Sequence, residues 1–202
     1  MSLVQELTDL LKSAASERPI LAWLKRNPLV LSHTLPFTRY VAAEFPFGTD
    51  YRADFVALGP YSGGFDIHFV ELEPPNVRLF TKSGVPARRL AAAIAQVDSW
   101  RLFIERNRQC VLRDLSKFMQ QRELIFHDTE FEPMDHGGWP LYHPQVALDW
   151  SFEIVIGRRA EQSSADIQKK ASFHKHHDIR VMTYDRMLEA AEKLDEYRKQ
   201  VA

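Results

Sequence analysis

The sequence predicts a mixed α/β domain behind a helical N-terminal piece, and three observations predict it. Two β-rich runs, 51–58 (YRADFVAL) and 65–73 (FDIHFVELE), flank a turn built from Gly59, Pro60, Tyr61, Ser62, Gly63 and Gly64, which reads as an antiparallel hairpin. A long amphipathic segment follows at 86–107, with Leu90, Ile94, Val97, Phe103 and Ile104 along one face. Beyond it, two short β-rich runs alternate with helical patterns, the order expected of strands joined through helices.

Taken in order, Val4, Leu7, Leu10 and Leu11 give residues 3–16 a helical spacing. Residues 19–31 form a second helix that Pro19 starts and Asn27-Pro28 stops. Residues 37–47 (with TRYVAAEFPF) are ambiguous between helix and strand. The hairpin's second strand ends at Pro74-Pro75, because proline cannot donate to a ladder. Pro86 starts the long helix, and residues 110–126 continue as another, with Leu112, Leu115, Phe118 and Met119 apolar. Residues 127–149, rich in Pro, Gly, Asp and His, read as a surface loop. A buried strand is expected at 152–157, and a helix at 162–175 that Ser163 or Ser164 caps. A last strand at 179–183 leads to an amphipathic helix at 185–200, for which Asp185 is the N-cap. The domain organisation read from this pattern is a helical segment, 1–36, followed by the α/β domain, 37–202.

Composition narrows the function classes. Of 202 residues, 45% are hydrophobic, enough for one sizeable core. The net charge of −1 advertises no general affinity for nucleic acid, so any such binding rests on a local basic groove. Cys110 is the single cysteine, which excludes an intrachain disulfide and a Cys-rich zinc site. The N-terminus lacks the basic start and apolar core of a secretory signal, and no apolar run approaches the roughly 20 residues of a membrane span. The expectation is a cytoplasmic protein with no membrane partner.

The chemistry concentrates between Asp54 and Trp100. Asp54 lies on the first hairpin strand and Glu71 and Glu73 on the second. Strand residues two apart project to one face, so Glu71 and Glu73 point together, beside Ile67 and Phe69. Acids gathered on paired strands suit Mg²⁺ or Mn²⁺, hard cations that take carboxylate oxygens and keep several waters. Asp54 and Glu71 are the expected direct ligands, with the Leu72 carbonyl between the glutamates as a further donor. Such an ion lowers the pKa of water and stabilises a departing oxygen. Asp66 competes with Asp54, but strand parity turns it away from Glu71.

The segments ILAWLKRNPLVL, YRADFVAL, FVELEPPNVRLFTKSG, LAAAIAQVDSWRLFIERN, VIGRR and VMTYDRML occur in an order that resembles the nuclease domain of the Shedu anti-phage defence proteins. More broadly, they resemble the PD-(D/E)XK nuclease superfamily. They cover most of residues 20–190. The resemblance implies a restriction-endonuclease-like mixed sheet flanked by helices, a metal-dependent DNA endonuclease or nickase, DNA as partner and a homo-oligomer. Glu73 stands where the superfamily usually carries lysine, a departure shared with restriction endonucleases that work with E-x-E. The resemblance implies that Glu73 is a general base or second-metal ligand, and that Lys82 supplies the missing positive charge. It also implies that Gln96, with Trp100 four residues on, matches a Q-x-x-x-Y element beside the metal. Glu44 corresponds to an upstream glutamate ligand.

Each assignment has a plainer competitor. Glu71 and Glu73 also suit a solvated edge strand, and Gln96 a helix surface. Arg88 and Arg89 beside Lys82 form a phosphate-contacting patch or a solvated first helical turn, where arginine is poorly placed for the helix dipole. Arg158 and Arg159 contact phosphate or cap a helix. His174, His176 and His177 invite zinc but have no acid or cysteine at ligand spacing. Two other function classes stay open beside the hydrolase: a catalytically inactive module that binds nucleic acid or a partner protein, and a structural domain that oligomerises through its helices.

Overall fold

Five strands form one mixed sheet in which sequence order is also spatial order. The computed structural model describes residues 2–120 and 132–201. β1 (Tyr40–Phe47), β2 (Tyr51–Tyr61) and β3 (Gly64–Leu72) are antiparallel neighbours, and β4 (Ala147–Val155) and β5 (Ile179–Met182) add in parallel. The mixed α/β class and the helical N-terminus expected from the sequence are what the chain adopts.

One face of the sheet is covered by α4 (Arg88–Gln120). Leu90, Ala93, Val97, Trp100 and Ile104, three and four apart, lie on Ile67, Phe69, Val56 and Phe152. The other face is covered by α1 (Leu3–Ser13), α2 (Arg18–Arg26), α3 (Pro28–Thr34) and α6 (Asp185–Val201). Their Leu7, Leu11, Ile20, Leu24, Leu31, Met187 and Ala191 join Phe55, Ala57, Val70 and Val155 in a second core. The N-terminal helices therefore share a core with the sheet. Asp195 of α6 fastens them, its carboxylate accepting from the Leu3 and Val4 N–H groups at 3.0 and 2.9 Å, which satisfies donors that an isolated helix start leaves open. α5 (Ser164–His177) begins on a capping box between Ser163 and Asp166.

Several boundaries differ from the sequence reading, each for a local reason. The ambiguous segment before Phe47 is strand, because Tyr40 and Ala42 fill the α4 side while Val41 and Ala43 pack on the other. Asn27-Pro28 stops one helix and starts the next, since proline needs no N–H at a helix start. β2 runs on through Pro60 to Tyr61, and the hairpin closes on a two-residue turn in which Gly63 takes φ 86°. The two helices expected at 86–107 and 110–126 are joined across a kink at Asn107, whose φ of −124° is non-helical. The last part of the second, 121–126, lies outside the described residues, as do 127–131 of the expected loop. β4 starts earlier than expected, because Ala147–Ser151 pair in register with Gly64–His68.

Candidate active site

The hairpin register places the acids. Phe55 pairs with Val70, and one step further along this antiparallel ladder Asp54 stands across from Glu71. Both line an open cavity of about 410 Å³ between the hairpin and α4, together with Asp50, Tyr51, Arg52, Gln96, Ser99 and Trp100. Trp100 is buried and meets Phe47 edge-to-face at 5.6 Å, which seats this part of α4 on the sheet. Just ahead of Asp50, Gly48, at φ 62°, passes close against the Phe103 ring of α4.

Asp54 is fixed by the strand that carries the glutamates. Its Oδ2 accepts from the Leu72 N–H at 2.8 Å. Gln96 hydrogen-bonds the Glu71 side chain. Glu73 lies just past β3 and its main chain is held on both sides: its N–H donates to the Val155 carbonyl at 2.8 Å, and its carbonyl accepts from the buried Tyr184 hydroxyl at 2.7 Å. Arg89 Nη1 stands 3.9 Å from Glu73 Oε2.

Burial first, and neighbouring carboxylates second, hold all three acids above the usual carboxylate range. Glu71 is pushed up to about 9 by desolvation first and then by the charges of Asp54 and Glu73. Glu73 rises to about 7 through desolvation, with Arg89 opposing. Asp54 rises to about 6 through desolvation, against the Leu72 hydrogen bond. Glu71 and Glu73 are only 9% and 8% exposed, so they are not the solvated edge acids of the plainer reading.

Glu17 belongs to this neighbourhood and escaped the sequence reading. It stands at the N-cap of α2, and its charge raises Asp54, Glu71 and Glu73 alike. The acid one residue ahead of Arg18-Pro19 suited a helix start and gave no further signal. Only the packing of α2 against the hairpin brings it near.

The other expected residues are distributed more widely. Glu44 sits across β1 from Asp54, at φ 55°, where the alternation of β1 resets so that Phe45 and Phe47 stay on the α4 side. Its carboxylate binds Lys25 and lies 3.8 Å from Arg52, and it raises Asp54 less than Glu17 does. Lys82 lines a second cleft with Arg78, Phe80 and Lys169, apart from the acids. Arg158 is engaged by Asp185 at 3.3 Å. Asp185 is not the N-cap expected of it; its carboxylate instead accepts from the Arg159 N–H at 2.5 Å and from the Arg158 side chain. Arg88 and Arg89 form the first turn of α4, a turn without acids. Asp66 points away from Glu71 and lies near Asp149 and His68. His177 ends α5, and the side chains of His174 and His176 are outside what the structure describes.

Among the described residues, no three His, Cys, Asp or Glu side chains form a ready-made metal cage. The donor set present is two facing carboxylates on an open cavity. That set fits Mg²⁺ or Mn²⁺, which bind through one or two carboxylates, waters and substrate phosphate rather than through an all-protein cage. A cation there would also offset the negative charge that Asp54 and Glu73 bring to bear on Glu71.

Residues 14–188 match the family model described as Shedu protein SduA, C-terminal. No curated protein matches the chain. With the match spanning most of its length, the chain belongs to the Shedu SduA C-terminal family.

Proposed function

From this family membership we propose that the chain is a metal-dependent DNA endonuclease or nickase on a PD-(D/E)XK-type core, acting in anti-phage defence in the cytoplasm. The observation that carries the reading is the facing pair of half-buried Asp54 and buried Glu71 at the end of the hairpin, open to a cavity that Gln96 and Trp100 close from α4.

Asp54 and Glu71 would hold Mg²⁺ or Mn²⁺, with the Leu72 carbonyl between the glutamates and Glu44 across β1 as further donors. The ion's chemistry is to acidify water and to stabilise charge on the leaving oxygen. Gln96 steadies Glu71 through its hydrogen bond. Glu73, next to the pair, accepts the proton of the attacking water. Lys82, Arg88 and Arg158 supply positive charge for the phosphate backbone, with the salt dependence that such contacts carry.

The experiment is plasmid cleavage by the pure protein with Mg²⁺ or Mn²⁺, beside Glu71→Ala. Cleavage by the parent and none by the variant is the expected result. Equal cleavage by both means a contaminant or another site. An inactive module that binds nucleic acid is the second reading, favoured by Glu73 in the place of lysine. It predicts salt-dependent DNA binding with no measurable Mn²⁺ affinity.

A further inference from the structure

We propose that Arg89 is a positioning residue that steadies the Glu73 carboxylate within the acidic centre, a role that rests on the hydrolytic reading above. Glu73 has little freedom in its main chain, because its N–H and carbonyl are both bonded, to Val155 and Tyr184. What remains movable is the carboxylate, and Arg89 Nη1 lies 3.9 Å from its Oε2.

Stability does not account for this arginine. Its side chain is 62% exposed, and ion pairs in such settings are screened by solvent and add little to stability. It also stands in the first turn of α4, where the helix dipole disfavours a cation. The local field explains it better. Asp54, Glu71 and Glu73 crowd one end of the hairpin, and Glu17 adds a further negative charge. Lys82 lines another cleft, Arg158 is held by Asp185 and Lys25 by Glu44. Among the described residues, Arg89 is the cation paired with Glu73. Its side chain is largely exposed while that of Glu73 is 11% exposed, so the pair joins a solvent-facing cation to a buried acid.

The test is a double-mutant cycle over Arg89→Ala and Glu73→Gln, with Arg89→Lys as the conservative variant. It reads steady-state plasmid cleavage, Mn²⁺ binding by calorimetry and metal-free DNA binding by anisotropy. Arg89→Ala is expected to lower kcat roughly tenfold, leave DNA affinity within about twofold and bind Mn²⁺ no more weakly than the parent. In the Glu73→Gln background the same change should have no further effect on kcat, and Arg89→Lys should recover most of the loss. A fall in DNA affinity with kcat unchanged would make Arg89 a phosphate contact and overturn the proposal. So would an equal loss of kcat in the Glu73→Gln background. A parent protein that neither cleaves nor binds Mn²⁺ sinks the hydrolytic reading itself, and with it this role, an outcome visible before any Arg89 variant is compared.

Discussion

The Asp54 carboxylate accepts a hydrogen bond from the Leu72 N–H at 2.8 Å, so the acid of one strand is fastened to the peptide between the two glutamates of the next. The bond fixes where Asp54 faces without neutralising it. Its oxygens remain beside Glu71, and its charge raises the Glu71 carboxyl through space. A centre built this way is electrostatically uncomfortable without a cation, and that discomfort is measurable.

Asp54→Asn should therefore separate stability from function. The amide oxygen still accepts from Leu72, while one of the charges that raise Glu71 is gone. At pH 8 without metal, Tm is expected to rise by roughly 2–4 °C, the shift of about 1 kcal/mol in a chain of this size. Cleavage should fall at least about a hundredfold, and Mn²⁺ should no longer raise Tm. A destabilised variant that still responds to Mn²⁺ would refute the account.

The metal-free protein should lose stability as pH rises. Glu71, Glu73 and Asp54 titrate near 9, 7 and 6 when folded, against ordinary values of 4.5, 4.5 and 3.8. Between those limits the folded state holds more protons than the unfolded state, so unfolding releases protons and becomes easier in base. These groups' contribution is complete below about pH 4 and is lost progressively through about pH 9. Urea melts from pH 5 to 9 should show the decline, and Glu71→Gln should flatten it. Mn²⁺ must displace those protons, so its stabilisation should be larger at pH 8 than at pH 6.

Gly48→Ala tests how the turn between β1 and β2 seats on α4. Gly48 sits at φ 62°, and a Cβ there would lie 2.6 Å from the Phe103 ring. The strained backbone and the displaced ring should together cost about 1–3 kcal/mol, seen as a lower urea midpoint with m unchanged. An unchanged midpoint would mean that Phe103 moves aside freely.

Tyr184→Phe removes the hydroxyl that donates to the Glu73 carbonyl at 2.7 Å in a fully buried position. The carbonyl is left short of a partner, with an expected loss of about 1–2 kcal/mol by chemical denaturation. Because the released carbonyl belongs to Glu73, cleavage should also fall, by roughly three- to tenfold. A loss of stability with full cleavage would show that this anchor serves the fold alone.

The acidic hairpin was legible because its signal is local. Strand parity put Glu71 with Ile67 and Phe69 on the α4 side, and the structure keeps Phe69 and Trp100 there. Gln96 was legible for the same reason, since the helical period sets it one turn from Trp100, and both line the cavity with Asp54 and Glu71. Glu17 was not, because nothing near it in sequence says which strand its helix will cross. Lys82 lies nine residues along the chain from Glu73, yet it lines a cleft against α5 with Lys169. Arg158 gave no hint that Asp185, on another element, would hold it.

Hydrophobic period and turn chemistry, written within a few residues, determined the elements, the hairpin and the side of the sheet on which Glu71 faces α4. Which charges meet across elements was decided only by the packed fold: Glu17 near Asp54, Arg89 on Glu73, Lys25 on Glu44. The physical reason is range. Side-chain periodicity is a property of neighbouring backbone dihedrals, whereas a Coulombic partner is set by the close packing of two cores on opposite faces of one sheet.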